Sequence, residues 1–181
     1  MSVYESIMNG LGEALEYAKG DTSKARETTV TVTQTQNPVT FGLSAFDVAK
    51  WLIAYNNSQE NTDLLTDLKL QKLLYYAQGI AIKYTGKALF NENIVAWEFG
   101  PVVPEVYNKY KNYGKNPIDE PITMPNFGDN DVEVILKDVH EDYGQYSAFK
   151  LVEMTHNETP WKETPKNNII SIDKMREYFA R

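Results

Sequence analysis

Cysteine is absent from all 181 residues of the chain. Its absence excludes disulfide frameworks, thiolate metal sites and thiol nucleophiles, and it fits a reducing compartment. Long apolar runs are missing as well, because none approaches the roughly 18 to 20 residues that cross a bilayer. The first residues, Met1 to Glu5, lack the basic and apolar stretches of a secretory signal. We therefore expect a cytoplasmic protein without a membrane partner.

Histidine is scarce, and the common motifs of enzyme active sites are missing. The chain has neither a glycine-rich phosphate loop nor a His-Glu-x-x-His or Gly-x-Ser-x-Gly motif. Its two histidines, His140 and His156, fall in different predicted helices, and their spacing does not support a metal site. We therefore expect no enzymatic activity, with no catalytic residues, no metal and no cofactor.

Positive charge is also in short supply, since the formal net charge is −7. A nucleic-acid partner requires Lys and Arg to neutralise phosphates, so the acidic balance argues against one. Residues 126–146 carry much of the excess, with a single lysine, Lys137, among six acidic side chains. A solvated helix face explains this pattern. The alternative is a surface that meets a basic partner, whose association the charge would speed.

The first 40 residues differ from the rest and are predicted to form an accessory segment. Apolar residues at helical spacing predict a short amphipathic helix over Tyr4–Gly20. The β-branched, period-two stretch over residues 28–36 predicts an edge strand or an intermolecular strand. Either element needs a surface on which to dock.

Dense helical periodicity over residues 41–181 predicts one domain that is mainly α with a minor sheet. Phe46 to Tyr55 is predicted to be a buried helix, and Thr66 or Asp67 to cap the next one, which Gly86 ends. Its predicted core stripe is Leu70, Leu73, Leu74, Ala77, Ala81 and Tyr84.

The second half of the domain alternates turns and helices. Leu89–Phe99 is predicted to be a strand or hairpin arm, and Pro104 is placed like the first residue of a helix that Gly114 ends. Residues 116–128 read as a surface loop. The predicted N-caps of the last three helices are Asp129 or Asp131, Ser147 and Ser171.

Three clusters have unusual chemical character. In residues 69–79, polar side chains and tyrosines fall opposite the leucines, which predicts either a solvated face or an exposed protein-binding face. Residues 96–104 form a rigid corner of two aromatics, a glycine and two prolines, and could present Glu98 and Val102 outward. In residues 155–161, a helix ends in a polar turn before Pro160 and Trp161, and His156 is either structural or a polar contact.

In this order, the clusters resemble the Panacea antitoxin domain, also called the SocA-like or GepA-like phage-associated domain. The resemblance rests on Leu68 to Gly79, Gly86 to Phe90, Ala96 to Tyr107, and Thr155-His156 with Pro160-Trp161, and it extends over about residues 46–179. Family members usually read Trp-Lys-Tyr-Gly-Pro at the corner, whereas this chain has Trp97-Glu98-Phe99-Gly100-Pro101. The tyrosyl hydroxyl is thus lost at Phe99. Residues 4–32 resemble the start of small type II antitoxins.

The resemblance implies a non-enzymatic, mainly α-helical domain that neutralises a toxin encoded beside it, and our hypothesis is that it does so by direct protein–protein binding. Two other roles stay open: an adaptor that delivers the toxin to a protease, and a repressor of its own operon. Residues 1–36 could serve homo-oligomerisation or add a strand to the toxin. The partner-binding residues we expect are Gln71, Lys72, Tyr75, Tyr76, Trp97, Glu98, Phe99, Gly100, Pro101, Val102, Glu105, Tyr107, His156 and Trp161.

Overall fold

A computed structural model describes residues 39–60 and 65–180 of the chain. The predicted helix over residues 4–20, the predicted strand over residues 28–36 and the roles expected of residues 1–36 lie outside the described residues. Within them, the chain is mainly helical with two small two-stranded sheets, which confirms the predicted fold class.

Seven helices and four short strands make up the described part of the chain. The helices are α1 (Ala45–Ser58), α2 (Asp67–Thr85), α3 (Pro104–Tyr110), α4 (Asn130–Tyr143), α5 (Ala148–Asn157), α6 (Thr159–Lys162) and α7 (Ile172–Phe179), and a 3-10 turn (Lys111–Tyr113) extends α3. The strands are β1 (Thr40–Leu43), β2 (Ala88–Phe90), β3 (Val95–Trp97) and β4 (Gly100–Val102). None of the helices in these described ranges has the length and apolar character that a membrane crossing requires.

Capping residues set the helix ends much as the sequence predicted. The Thr66 hydroxyl accepts a hydrogen bond from the Lys69 backbone N–H at the start of α2, and Gly86 ends that helix with a φ of 70°. Pro104 is the first residue of α3, where its missing N–H costs no helical hydrogen bond. Of the N-caps predicted for the last three helices, the structure confirms Asp129, Ser147 and Ser171.

Helix α2 runs through the centre of the domain and is covered on nearly all sides. It contacts α1, α3, α4, α5 and α7 as well as β2 and β4. Leu70, Leu73 and Leu74 are fully buried, as predicted. The prediction for Tyr84 is wrong, because its side chain is 65% exposed. Tyr84 lies in the last turn of α2, next to the exposed Lys83.

Two short sheets flank the central helix. Strand β1 runs parallel to β2, with Thr40 opposite Ala88. Strands β3 and β4 form an antiparallel hairpin in which Trp97 lies opposite Gly100. The predicted arm over Leu89–Phe99 is confirmed only for Val95–Trp97, because Leu89 and Phe90 belong to β2, which pairs with β1 in the other sheet. The other edge of β3 pairs with residues 167–170, through bonds such as that from the Ile170 N–H to the Ile94 carbonyl at 2.8 Å. Strand β3 is therefore paired along both of its edges, with β4 on one side and residues 167–170 on the other.

Candidate functional site

The β3–β4 hairpin ends in a tip formed by Trp97–Gly100. Gly100 has a φ of 101°, a region that favours glycine, and this allows the chain to reverse within two residues. Phe99 is 57% exposed at the turn. The neighbouring Glu98 is also exposed and pairs with Lys166 at 3.0 Å. A large apolar side chain therefore stands in solvent at the end of a tight hairpin.

Two polar side chains of α2 hydrogen-bond to the backbone at the end of the hairpin. The buried Lys72 donates from Nζ to the Pro101 carbonyl oxygen at 2.8 Å. The buried Gln71 accepts at Oε1 from the Val103 N–H at 2.9 Å. A Cβ atom on Gly100 would lie 2.8 Å from Lys72 Cε, closer than real contacts allow. Glycine is thus required at the tip both for its φ and for this close approach.

A third hydrogen bond, from α6, fixes the first residue of the tip. The Trp161 indole donates from Nε1 to the Trp97 carbonyl oxygen at 2.9 Å. His156 stacks on the Trp161 ring, with centroids 3.9 Å apart and planes 13° from parallel. The structure thus brings the corner cluster and the polar-turn cluster into direct contact, although more than 60 residues separate Trp97 from Trp161.

Glu158 lies inside the 155–161 cluster but was not among the partner-binding residues predicted from the sequence. Its side chain is buried between α5 and α6, and it accepts hydrogen bonds from the Tyr75 hydroxyl at 2.7 Å and the Tyr76 hydroxyl at 2.8 Å. These bonds join α2 to the junction between α5 and α6, and α6 carries Trp161. The only signal in the sequence is its position just before Thr159-Pro160, which is weak.

Burial sets the protonation of this site. Desolvation lowers the pKa of Lys72 to about 7, and the nearby Asp67 carboxylate offsets only part of that effect. Desolvation also lowers the pKa of His156, with Lys72 adding to the effect. Burial raises the pKa of Glu158, against the effect of its two tyrosine hydrogen bonds. At neutral pH, His156 is therefore largely neutral and Lys72 is close to its midpoint.

Two clefts flank the tip and share Trp97, Glu98 and Lys166 as lining residues. The larger has a volume of about 420 Å³ and extends from the tip to the first turn of α2 and to α3. The smaller, of about 260 Å³, is bounded by Trp161. Across the ranges 39–60 and 65–180, no cluster of three or more His, Asp or Glu side chains could hold a metal ion. The arrangement suits recognition through an exposed aromatic and two adjacent clefts.

The expected partner-binding residues divide into an accessible set and a buried set. The accessible or half-buried side chains are Trp97, Glu98, Phe99, Glu105, Tyr107, His156 and Trp161. The buried residues are Gln71, Lys72, Tyr75, Tyr76, Gly100, Pro101 and Val102. The expectation that the face of residues 69–79 is exposed is therefore wrong, and so is the outward placement of Val102. Instead, Lys72 and Gln71 hydrogen-bond to the backbone at Pro101 and Val103, and Tyr75 and Tyr76 hydrogen-bond to Glu158. These buried side chains stabilise the exposed residues around the tip.

The profile of the family described as "Antitoxin SocA-like, Panacea domain" matches residues 70–162, just over half of the chain. The chain belongs to this family. The matched range of the SocA-like domain runs from the first turn of α2 to the end of α6, so it contains the tip, its three supports and Glu158.

Among curated proteins, the chain is similar to Antitoxin SocA from Caulobacter vibrioides (strain NA1000 / CB15N). The two are 33% identical over 109 residues, which cover 54% of this chain and 58% of the relative. The chain therefore matches little more than half of the length of that SocA protein. No solved structure matches the chain significantly.

Proposed function

We propose that this chain is an antitoxin that acts in the cytoplasm by binding a protein toxin directly, without catalysing a reaction. The docking element is the hairpin tip. The observation that carries the proposal is the exposure of Phe99, 57%, at the end of a hairpin that side chains from α2 and α6 hold in place. Membership of the SocA-like family supports the antitoxin role.

A tip that is already ordered before binding favours association for a thermodynamic reason. Association is opposed by the ordering of loops and side chains, and a segment that is already ordered reduces that cost. Large aromatic side chains that enter a partner's pocket contribute a disproportionate share of binding free energy. Phe99 is a large, exposed aromatic on an ordered segment, since Trp97 and Pro101, two residues before and after it, are hydrogen-bonded from outside the hairpin.

The half-buried aromatics near the tip extend this surface. Trp97 and Tyr107 pack edge to face with centroids 4.9 Å apart, and both line the larger cleft beside Phe99. A partner that covers the tip would therefore also cover apolar area inside the cleft. A stable interface buries roughly 1,200 to 2,000 Å² in total, of which the tip would form the centre.

Co-expression with the product of the neighbouring gene tests the proposal. The wild-type chain should restore growth and co-purify with that product, and Phe99→Ala should weaken the complex by about 30-fold, as loss of a 2 kcal/mol anchor does. Phe149→Ala is the matched control, because Phe149 is 73% exposed on α5 and lies outside the tip.

Three results would count against the proposal. Failure of the wild type both to restore growth and to co-purify would exclude neutralisation by binding. Equal loss in Phe99→Ala and Phe149→Ala would exclude the tip as the docking element. Return of toxicity in a strain that lacks the host protease would favour the adaptor role over direct inhibition.

A further inference from the structure

The larger cleft beside the tip combines an acidic floor with aromatic walls. Its most buried lining residues are Asp67, 5% exposed, together with Gln71 and Val102. Trp97 and Tyr107 line it above them. Its volume of about 420 Å³ falls within the roughly 300 to 1,000 Å³ typical of ligand sites. The cleft is therefore large enough for a long side chain of another protein.

The Asp67 carboxylate at the floor is held in a fixed orientation. Gln71 donates from Nε2 to Asp67 Oδ1 at 3.0 Å, and Gln71 is itself fixed by its bond from the Val103 N–H. A carboxylate has about four acceptor positions, so one hydrogen bond orients the group without using up its capacity. Burial raises the pKa of Asp67, since the hydrogen bond from Gln71 and the charge of Lys72 offset the desolvation only in part. A cation in the cleft would stabilise the ionised form.

We propose that this cleft binds an arginine side chain of the partner toxin, with the guanidinium paired to Asp67 and lying against Trp97 and Tyr107. The inference rests on the proposed antitoxin function and specifies the chemistry of the contact. Arginine fits better than lysine because its planar guanidinium both stacks on aromatic faces and bonds a carboxylate through two N–H groups. Arginine is also enriched at interface hot spots.

Two lysines at the mouth of the cleft would by themselves favour an anion. Lys166 is paired with Glu98 at 3.0 Å, and Lys111 donates to Asn108 Oδ1 at 3.0 Å. Both are exposed, so solvent and salt screen their charges, whereas the charge of the buried Asp67 is screened much less. The buried Lys72 offsets part of that negative charge, but its Nζ donates to the Pro101 carbonyl oxygen, so it leaves acceptor positions of Asp67 to another donor. The overall charge of −7 adds a long-range attraction for a basic partner. The balance favours a cation at the floor.

Titration of the isolated full chain with a small probe tests the inference without the toxin. Nα-acetyl-arginine amide is added up to about 50 mM, which detects millimolar affinity, while NMR follows the Trp97 indole and the Asp67 carboxyl. We expect saturable shifts of both signals. The uncharged, isosteric citrulline derivative and the glutamate derivative should give none.

Two variants locate the site. Asp67→Asn keeps an acceptor for Gln71 and should weaken arginine binding at least about tenfold, whereas Asp47→Asn, in the first turn of α1, should leave it unchanged. Tyr107→Leu, which leaves Asp67 in place, should weaken it about threefold. Circular dichroism and thermal melting establish that each variant is folded.

Several outcomes would overturn the arginine site. These are no shift with the arginine probe, equal binding of the citrulline derivative, preference for the glutamate derivative, or full affinity in folded Asp67→Asn or Tyr107→Leu. None of them affects the Phe99 co-expression test. Conversely, a chain that fails to neutralise the toxin but binds arginine at Asp67 would contradict only the proposed function.

Discussion

Lys72 and Pro101, 29 positions apart in the chain, are joined inside the protein by a hydrogen bond of 2.8 Å from the lysine Nζ to the proline carbonyl oxygen. The lysine lies on the central helix and the proline on the second strand of the hairpin. A buried amine, which usually destabilises a fold, here satisfies a backbone carbonyl beside the exposed tip. The stability of the fold and the geometry of the exposed tip therefore depend on the same bond.

Replacing Lys72 with methionine should change how stability depends on pH. Because the pKa of Lys72 is about 7 in the fold and 10.5 when unperturbed, the unfolded chain binds more protons between these values. Wild-type stability should therefore rise with pH between 7.5 and 9 by up to about 1.4 kcal/mol per unit more than that of Lys72→Met. Urea denaturation at several pH values measures the difference. Lys83→Met, at an exposed position of the same helix, should keep the wild-type slope; equal slopes in Lys72→Met would refute the assignment.

Gly100→Ala should destabilise the hairpin more than a glycine substitution at an open turn. The new methyl group would lie 2.8 Å from both Lys72 Cε and Thr155 Oγ1, on a backbone with a φ of 101°. We expect a loss of about 2–4 kcal/mol in the free energy of unfolding, since overpacking adds to backbone strain. Gly86→Ala is the control: its φ of 70° and ψ of 0° are left-handed helical and nothing lies within 4 Å of the new methyl group, so about 1 kcal/mol should be lost. Similar losses in both would show that contact with Lys72 is unimportant.

Glu158→Ala, at the residue that joins α5 and α6, should be among the most destabilising substitutions in this part of the chain. It leaves the Tyr75 and Tyr76 hydroxyls buried without their acceptor, at a cost of about 2–4 kcal/mol in the free energy of unfolding. Glu153→Ala, at an exposed position of α5, should change stability by no more than about 0.5 kcal/mol. Chemical denaturation compares the two. A small effect at Glu158 would mean that the desolvation cost of the buried carboxylate cancels the stabilisation from its two tyrosine hydrogen bonds.

Gly79→Ala should be rescued by a smaller side chain at position 179. A methyl group on Gly79 would meet the Phe179 ring at 2.3 to 2.6 Å, so α2 and α7 could not pack as they do. We expect a loss of about 1–3 kcal/mol from the single substitution. In a double-mutant cycle, Phe179→Leu should recover about 1 kcal/mol or more of that loss. Simple additivity would contradict the direct contact.

Local signals predicted the helix ends because their partners are close in sequence. Thr66, Ser147 and Ser171 each accept from a backbone N–H three residues ahead, and Gly86 needs only its own backbone conformation. Such interactions leave a trace within a few residues, and the structure has each of them where it was expected.

The burial of the polar face of α2 could not be predicted in this way. Gln71, Lys72 and Tyr75 bond to groups 32, 29 and 83 residues away, and a polar side chain with a distant partner looks the same in sequence as one in water. The tip residues were singled out by their aromatics, glycine and prolines and again by the family resemblance, whereas Glu158 lay in the 155–161 cluster without any sign of its tyrosine partners. What escaped prediction was therefore the long-range hydrogen bonding.

The three bonds that hold the hairpin all end on its backbone: at the Trp97 carbonyl, the Pro101 carbonyl and the Val103 N–H. None of them depends on which side chains occupy positions 98 and 99. Substitutions there would alter the face shown to a partner while these anchors stay intact. Under the proposed function, exchange of these two residues would change the partner that the chain recognises and leave the hydrogen bonds that fix the hairpin unchanged.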